Sequence, residues 1–262
     1  MPFLDTSTGV TQYYELTGSG PRLLSISGTG SDLRRPPRIT DGPFARHFEI
    51  LAYDQRGLGQ SSSPEGEWTM AGFADDAAAL LDAVGWDDCL VLGLSFGGMV
   101  AQELAIRHPE RVRRLALGCT SAGGRGGASY PLHKLTDLEP EARIPLQMEI
   151  LDTRWDADWR AANPAQVEAM AALAGSGEPS PEGLRRQLEA RSHHDAADRL
   201  GRIGCPTYVC GGRTDGIAPP ANSEFLAANI PEAELAMFDG GHLFLIQDRT
   251  ALPAIITFLS RD

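Results

Sequence analysis

The chain contains few cysteines. There are four among 262 residues, at positions 89, 119, 205 and 210. None lies in a Cys-x-x-Cys pair, the spacing typical of zinc ligands and redox motifs, and four cysteines in so long a chain do not make a disulfide framework. We therefore expect free thiols in a reducing compartment.

Long apolar runs are also missing. No stretch of about 18 apolar residues, the length needed to cross a membrane, occurs in the chain. Residues 1–5 show neither the basic segment nor the following apolar stretch of a secretory leader. We expect a soluble, cytoplasmic protein with no membrane partner.

Positive charge is scarce. The chain has 23 Lys and Arg against 35 Asp and Glu, a net charge of −12. Such a surface repels phosphate backbones and anionic lipids unless its few bases cluster, and no cluster occurs, so no nucleic-acid partner is expected. With 42% hydrophobic and 22% charged residues, the composition is that of a globular protein and argues against disorder.

The pattern of apolar residues predicts an α/β fold. Short continuous apolar runs, typical of buried parallel strands, alternate with segments of helical period. The predicted strands are residues 22–27, 48–54, 88–94, 112–119, 206–211 and 234–238. The predicted helices are residues 69–84, 97–107, 221–229 and 249–259.

The alternation stops between residues 121 and 200. This stretch opens with a glycine-rich loop and continues with helical segments near 139–152, 164–173 and 181–191, so we predict a helical insertion at 121–200 in a core of 1–120 and 201–262. Trp155 and Trp159 are four residues apart and are expected to share one helix face, where packing is favoured over ligand contact.

Residues 93–97 carry the sequence Gly-Leu-Ser-Phe-Gly between a predicted strand and a predicted helix. A strand that turns sharply into a helix with Ser95 at the apex strains that serine, and glycines two residues before and after remove colliding side chains. The turn exposes the hydroxyl above the sheet edge, and the helix start favours negative charge nearby. This pattern predicts a nucleophile.

A serine hydroxyl needs a base held by a carboxylate. Asp215 and His242 follow the last two predicted strands, and the carboxyl ends of parallel strands share one edge, so Ser95, Asp215 and His242 are expected to converge there. Asp239 lies too close to His242 along the chain to be the obvious partner.

Acyl transfer also needs hydrogen-bond donors for an oxyanion. The N–H of Phe96 is the first candidate. The second is the N–H of Thr29, which lies between two glycines in the loop after the first predicted strand.

Two other interpretations are weaker. Gly28-x-Gly30 lacks the third glycine and the following helix of a nucleotide-binding loop. The sequence His-His-Asp at 193–195 has no second ligand cluster, and adjacent side chains diverge on a helix, so no metal is expected.

Taken together, these motifs resemble the α/β-hydrolase family over nearly the whole chain. The matching segments, in the order typical of that family, are residues 27–30, 53–61, 93–98, 108–112, 212–215 and 241–242. The resemblance implies an α/β-hydrolase fold with a mostly parallel sheet, in which the insertion at 121–200 is a helical cap over the active site.

Most members of the family carry His-Gly where this chain has Ser27-Gly28. The 3-oxoadipate enol-lactonases resemble this chain in lacking that histidine and in reading Gly-polar-Asp-Leu, here residues 30–33, which suggests small ester or lactone substrates. Ser95 stands where the similar haloalkane dehalogenases and epoxide hydrolases carry aspartate, which argues against their chemistry.

The resulting hypothesis is a serine hydrolase of small esters or lactones that requires no cofactor and no metal. Further side chains are candidates for substrate contact, although surface or packing roles are favoured for each of them: Asp32, Arg34, Arg125, Trp155 and Trp159. The same scaffold also resembles cofactor-free perhydrolases, C–C hydrolases and lyases, and a binding protein with a vestigial site is a third hypothesis. The sequence leaves the substrate and the oligomeric state open.

Overall fold

The computed structural model describes residues 2–36, 38–136, 138–175 and 180–261. These residues form an eight-stranded sheet in the order β1-β2-β4-β3-β5-β6-β7-β8. The strands are β1 (Phe3–Asp5), β2 (Thr11–Gly18), β3 (Arg22–Ile26), β4 (Glu49–Tyr53), β5 (Cys89–Leu94), β6 (Val112–Gly118), β7 (Thr207–Gly212) and β8 (Glu234–Phe238).

Strands β3 to β8 pair in parallel, so their carboxyl ends lie at one edge of the sheet. All six are predicted from the sequence, with boundaries that differ by at most one residue. The antiparallel strands β1 and β2 were not predicted. Both strands are partly exposed; β1 has only three residues and β2 is rich in polar residues, so neither has the continuous apolar run that identifies a buried strand.

Helices connect and cover the parallel strands. They are α1 (Met70–Ala83), α2 (Phe96–Arg107), α3 (Pro140–Leu151), α4 (Ala157–Ala162), α5 (Pro164–Gly175), α6 (Pro181–Ser192), α7 (Pro220–Asn229), α8 (Phe244–Gln247) and α9 (Ala251–Leu259). The four helices predicted outside the insertion correspond to α1, α2, α7 and α9. Helix α1 begins where predicted because the Thr69 side chain accepts a hydrogen bond from Gly72 N.

The apolar core lies on both faces of the sheet. Successive residues of one strand enter different clusters: Leu23 belongs to the cluster that includes Phe258 of α9, whereas Leu24 belongs to the cluster that includes Phe73 of α1. Because both faces are covered, the strands are apolar at consecutive positions. The four cysteines are free, as predicted.

Helices α3 to α6 lie between β6 and β7, in the stretch where the sequence predicts an insertion. Here "the insertion" denotes residues 121–200. Trp155 and Trp159 stack with their ring centroids 5.3 Å apart, but they do not share a helix, because α4 begins only at Ala157 and Trp155 precedes it. Among the described helices, none is both long enough and apolar enough to cross a membrane.

A buried ion pair fastens α1 to the loop that follows β4. Arg56 donates two hydrogen bonds to Asp76, from Nε to Oδ2 at 2.6 Å and from Nη2 to Oδ1 at 2.7 Å. The Asp76 side chain is 1% exposed and also accepts a hydrogen bond from the Thr8 hydroxyl. Removal of one partner from such a pair leaves an uncompensated buried charge.

We therefore expect Asp76→Ala to lower the free energy of unfolding by about 3–5 kcal/mol, since Arg56 loses its counterion. Asp82 lies on the same helix and pairs with Arg111, but its side chain is 67% exposed. Asp82→Ala is the matched control and should lower the free energy of unfolding by about 0–1 kcal/mol. Equilibrium unfolding in urea measures both losses, and equal losses would contradict the assignment of the stabilisation to the buried pair.

Candidate active site

Ser95 occupies a single-residue turn between β5, which ends at Leu94, and α2, which begins at Phe96. Its backbone has φ 55° and ψ −117°. A positive φ is strained for a residue with a side chain and persists only where the surroundings enforce it. The strand-to-helix turn predicted from the sequence is therefore present, with the serine at its apex.

Close packing around the turn explains why glycine occupies positions 93, 97 and 98. A Cβ on Gly97 would lie 2.0 Å from the carbonyl oxygen of Ile26, and one on Gly93 would lie 2.5 Å from the carbonyl oxygen of Gly97. A Cβ on Gly98 would lie 2.6 Å from that of Thr120. The helix therefore starts in direct contact with the ends of β3 and β5 and with the residues after β6.

The structure brings together the three residues that the sequence predicts to converge. His242 Nε2 lies 3.0 Å from Ser95 Oγ, and His242 Nδ1 lies 2.8 Å from Asp215 Oδ2. Asp215 and His242 follow β7 and β8, so all three residues come from the carboxyl edge of the sheet. Both distances are those of hydrogen bonds.

The carboxylate of Asp215 is fixed on its other side as well. Its side chain is fully buried, and Oδ1 accepts hydrogen bonds from the backbone N–H groups of Ile217 and Ala218, both at 2.8 Å. The two oxygens therefore have separate tasks: Oδ1 anchors the carboxylate to its own loop, and Oδ2 faces the imidazole.

The last turn of α3 holds the loops of both Asp215 and His242. The carbonyl oxygen of Ile150 accepts a hydrogen bond from Gly216 N at 3.0 Å, and that of Leu151 accepts one from His242 N at 2.6 Å. Carbonyl groups at a helix C-terminus have no partner within the helix and are free for such bonds. The insertion thus contributes to the position of the histidine.

Asp152, directly after α3, extends this connection. The carboxylate accepts hydrogen bonds from Arg154 and from Gln247, whose own side-chain oxygen accepts from Gly241 N. Burial acts to raise the pKa of Asp152, but the hydrogen bonds that the carboxylate accepts, led by those from Arg154, together outweigh burial and the pKa lies below its usual value. The sequence analysis did not identify this network, because nothing in the local pattern links residues 95 positions apart.

Two buried glutamines hold the loop after β3 beside the serine. Gln55 Nε2 donates to the carbonyl oxygen of Ser27 at 2.8 Å, Gln187 Nε2 donates to Gln55 Oε1 at 3.2 Å, and Gly30 N donates to Gln187 Oε1 at 2.8 Å. The carbonyl oxygen of Ser27 can accept only from the amide nitrogen of Gln55, and the N–H of Gly30 can donate only to the amide oxygen of Gln187. These two bonds therefore fix the orientation of both side-chain amides.

This glutamine chain, Gln55–Gln187, closes on the segment that faces Ser95. Gly28 lies between its two ends, and a Cβ on Gly28 would be 4.0 Å from Ser95 Oγ. Within the described residues, the backbone N–H groups of Thr29 and Phe96, the predicted oxyanion donors, donate to no acceptor. The hydroxyl of Thr29 is likewise buried without a described partner. The sequence analysis missed both glutamines.

The five further candidates for substrate contact have partners of their own. Asp32 is buried and accepts three side-chain hydrogen bonds and one backbone hydrogen bond from Arg34, whose side chain is 57% exposed. Arg125 is exposed, binds Asp198 and lies over the Phe225 ring. The two tryptophans stack on each other. These contacts are separate from those of Ser95, Asp215 and His242.

The chain is similar to a known protein family and to individual known proteins. A family model described as alpha/beta hydrolase fold matches residues 28–248. The chain is 34% identical over 239 residues to a putative carbamate hydrolase RutD of Azorhizobium caulinodans, covering 88% of each protein. It is 28% identical to 3-oxoadipate enol-lactonase 2 of Acinetobacter baylyi, over 79% of this chain and 77% of that protein.

A solved structure is similar over the full length of both chains. The enol-lactonase from Burkholderia xenovorans LB400 superposes with a TM-score of 0.81 at 25% identity, covering 99% of this chain and 100% of the other. The sheet order, the strained serine turn and the matched segment of residues 28–248 lead to one conclusion: this chain belongs to the α/β-hydrolase family and has its fold, and its homologues are hydrolases.

Proposed function

We propose that this protein is a serine hydrolase that cleaves a small carboxylic ester or lactone through an acyl-enzyme on Ser95. The observation that carries the proposal is the pair of hydrogen bonds that connects Ser95, His242 and Asp215. An alcohol, an imidazole and a buried carboxylate in this order form the arrangement that activates a serine nucleophile.

In the proposed reaction, Ser95 Oγ attacks the carbonyl carbon as His242 Nε2 takes the hydroxyl proton. The carbonyl π electrons move to oxygen, and the tetrahedral intermediate collapses as His242 returns the proton to the leaving alcohol. A water molecule then attacks the acyl-enzyme with the same base, which releases the acid and restores Ser95. Asp215 orients the imidazole and stabilises its positive charge.

The N–H groups of Thr29 and Phe96 are the proposed oxyanion donors. Their lack of other described acceptors and the position of Gly28 beside Ser95 support this role. Phe96 is also the first residue of α2, where the N–H groups and the helix dipole favour negative charge. The glutamine chain acts as a positioning device for Thr29, because it fixes the backbone on both sides of it.

We propose that the insertion, residues 121–200, is a cap on a core of residues 1–120 and 201–262. Its contacts support this function: α3 binds the loops of Asp215 and His242, and α6 binds the loop of Thr29 through Gln187. A cap fixed at these places would determine which substrates reach Ser95.

The remaining candidate functions differ in the type of bond that is cleaved. One relative is named as a putative carbamate hydrolase and another as an enol-lactonase, and an acyl-enzyme on Ser95 accommodates either bond. Turnover of a panel of esters, lactones and carbamates decides between them. Perhydrolase, C–C hydrolase and lyase substrates in the same panel test the alternative chemistries, and a binding protein would turn over none.

Ser95→Ala is expected to abolish turnover of a 4-nitrophenyl ester, since the variant cannot form the acyl-enzyme. A fluorophosphonate probe should label the wild-type protein at Ser95 and leave the variant unlabelled. Ser192→Ala, at an exposed serine that ends α6, is the control and should retain both activity and labelling. Full activity in Ser95→Ala would remove the proposal.

Asp215→Asn is expected to reduce kcat by about 10⁴-fold, the loss measured for this substitution in a serine protease. The asparagine oxygen can keep the bonds from Ile217 and Ala218, which turns its NH₂ group toward His242 Nδ1. The imidazole must then carry its proton on Nε2, where it cannot accept one from Ser95. Asp239→Asn, at a side chain 75% exposed, is the matched control and should leave kcat unchanged.

Gln187→Met keeps the length of the side chain but removes both hydrogen bonds of the glutamine chain. Loss of an oxyanion donor costs about 10²–10³-fold in kcat, so a displaced Thr29 should lower kcat by up to about 10²-fold while KM changes little. Gln166→Met, at an exposed position of α5, is the control. An increase in KM at constant kcat would assign Gln187 to substrate binding instead.

A further inference from the structure

The loop that carries His242 lies directly against the end of α3. Residues 239–242 follow β8 and have the sequence Asp-Gly-Gly-His. A Cβ on Gly241 would lie 2.0 Å from the carbonyl oxygen of Leu151 and 2.7 Å from the Cα of Asp152. The backbone of the insertion therefore touches this loop so closely that a side chain has no room at position 241. The position of His242 depends on this contact.

Asp152 places a buried carboxylate at the contact, since its side chain is 0% exposed. Its Oδ1 accepts hydrogen bonds from the backbone N and the Nε of Arg154, at 3.1 and 2.9 Å. Its Oδ2 accepts from Arg154 Nη2 at 2.7 Å and from Gln247 Nε2 at 2.9 Å. Burial acts to raise the pKa of Asp152, but these bonds outweigh it, so the group is ionised at neutral pH and can only accept hydrogen bonds.

Gln247 connects this carboxylate to the loop of His242. It is the last residue of α8, and its Oε1 accepts a hydrogen bond from Gly241 N at 2.8 Å. The N–H of Gly241 can only donate, and the carboxylate of Asp152 can only accept. The amide of Gln247 therefore satisfies both neighbours in one orientation only, with its oxygen toward Gly241. The charge of Asp152 thereby fixes the acceptor for the residue that directly precedes His242.

A second connection between Asp152 and this loop runs through Arg154, but it is exposed. Arg154 Nη1 donates to Asp239 Oδ1 at 2.8 Å, at the start of the loop. The side chains of Arg154 and Asp239 are 44% and 75% exposed, and ion pairs in such positions contribute little. The connection through Gln247 therefore carries the constraint, and the main effect of Arg154 is to keep Asp152 ionised.

The imidazole has little tolerance for a displacement of this loop. His242 lies 3.0 Å from Ser95 Oγ on one side and 2.8 Å from Asp215 Oδ2 on the other. Other elements fix both partners, because Ser95 follows β5 and Asp215 follows β7. A shift of the backbone at Gly241 would therefore lengthen at least one of the two bonds. A misplacement of about 1 Å at a reacting group can lower a rate by about 10²-fold.

We infer that Asp152 is a positioning residue for His242, and that it acts through Gln247 and the N–H of Gly241. The inference rests on the proposed function, because His242 is the base of the proposed reaction. It adds a carboxylate that belongs to the insertion rather than to the sheet edge and that is separated from the backbone of the histidine loop by two hydrogen bonds.

Gln247→Met tests the connection with little disturbance, since the residue is half-buried and the side chain keeps its length but loses both hydrogen bonds. It should lower kcat for a 4-nitrophenyl ester by about 10–100-fold while KM changes little, because the base is displaced and substrate binding is not. A fluorophosphonate probe measures two further quantities. The final extent of labelling counts the folded sites, and the rate of labelling reports the reactivity of Ser95. A loss of stability alone would lower the count and not kcat per labelled site.

Reversal of the hydrogen-bond polarity tests whether Asp152 and Gln247 act together. Gln247→Glu places a second carboxylate beside that of Asp152, and their repulsion should lower kcat. Addition of Asp152→Asn to this variant should raise kcat above that of Gln247→Glu and of Gln247→Met. The asparagine NH₂ group can donate to the glutamate, which still accepts from Gly241 N. In the wild-type background, Asp152→Asn should instead lower kcat, because its NH₂ group faces a donor of Gln247 or of Arg154. A substitution whose effect changes sign with its partner identifies two coupled residues.

Gln166→Met, at an exposed position of α5, is the matched control and should leave kcat and the labelling rate at the wild-type values. Wild-type kcat in Gln247→Met, a change confined to KM, an equal loss in Gln166→Met, or a double variant no better than Gln247→Glu would overturn the inference and leave the proposed function intact. Turnover that survives Ser95→Ala would overturn both, since His242 would then have no serine to activate.

Discussion

The backbone conformation of Ser95 is the constraint on which the site depends. A residue with a side chain is held at φ 55° because β3, β5 and the segment after β6 leave no room for a Cβ at the glycines that surround it. The strain is therefore compensated by the packing of the parallel sheet rather than by the turn itself. The same turn directs the hydroxyl toward His242 and starts α2 at Phe96, so one local distortion sets the positions of the serine and of a helix N-terminus together.

The insertion takes part in this geometry through two of its helices. The last turn of α3 accepts hydrogen bonds from the loops of Asp215 and His242, and α6 reaches the loop after β3 through Gln187. Both contacts involve groups that would otherwise be unsatisfied: helix C-terminal carbonyls and a backbone N–H in a glycine-rich loop. A rearrangement of the insertion would therefore change the position of the proposed base and of the proposed oxyanion loop at the same time.

Charge is distributed unevenly between the exterior and the interior. The chain carries a net charge of −12, yet α6 buries the guanidinium of Arg191, which forms no ion pair with a carboxylate among the described residues and donates to the carbonyl oxygen of Tyr130. By contrast, the buried Arg56 is bound by Asp76 through two hydrogen bonds. Within the described residues, the fold supplies a carboxylate to Arg56 but only a carbonyl oxygen to Arg191. The core pair therefore stabilises the fold.

The sequence by itself determined the six parallel strands, the helices between them, and the meeting of Ser95, Asp215 and His242. These features depend on local patterns of apolar residues and on a rule of topology, that parallel strands end at one edge. Only the tertiary structure decided that Gln55 and Gln187 join, that the carbonyls of α3 hold two loops, and that Arg191 has no counterion among the described residues. Such contacts link residues up to 157 positions apart. In addition, the sequence does not distinguish a buried glutamine or arginine from an exposed one. Whether a polar side chain is paired is a property of the packed molecule, because its partner is chosen by proximity in space and not along the chain.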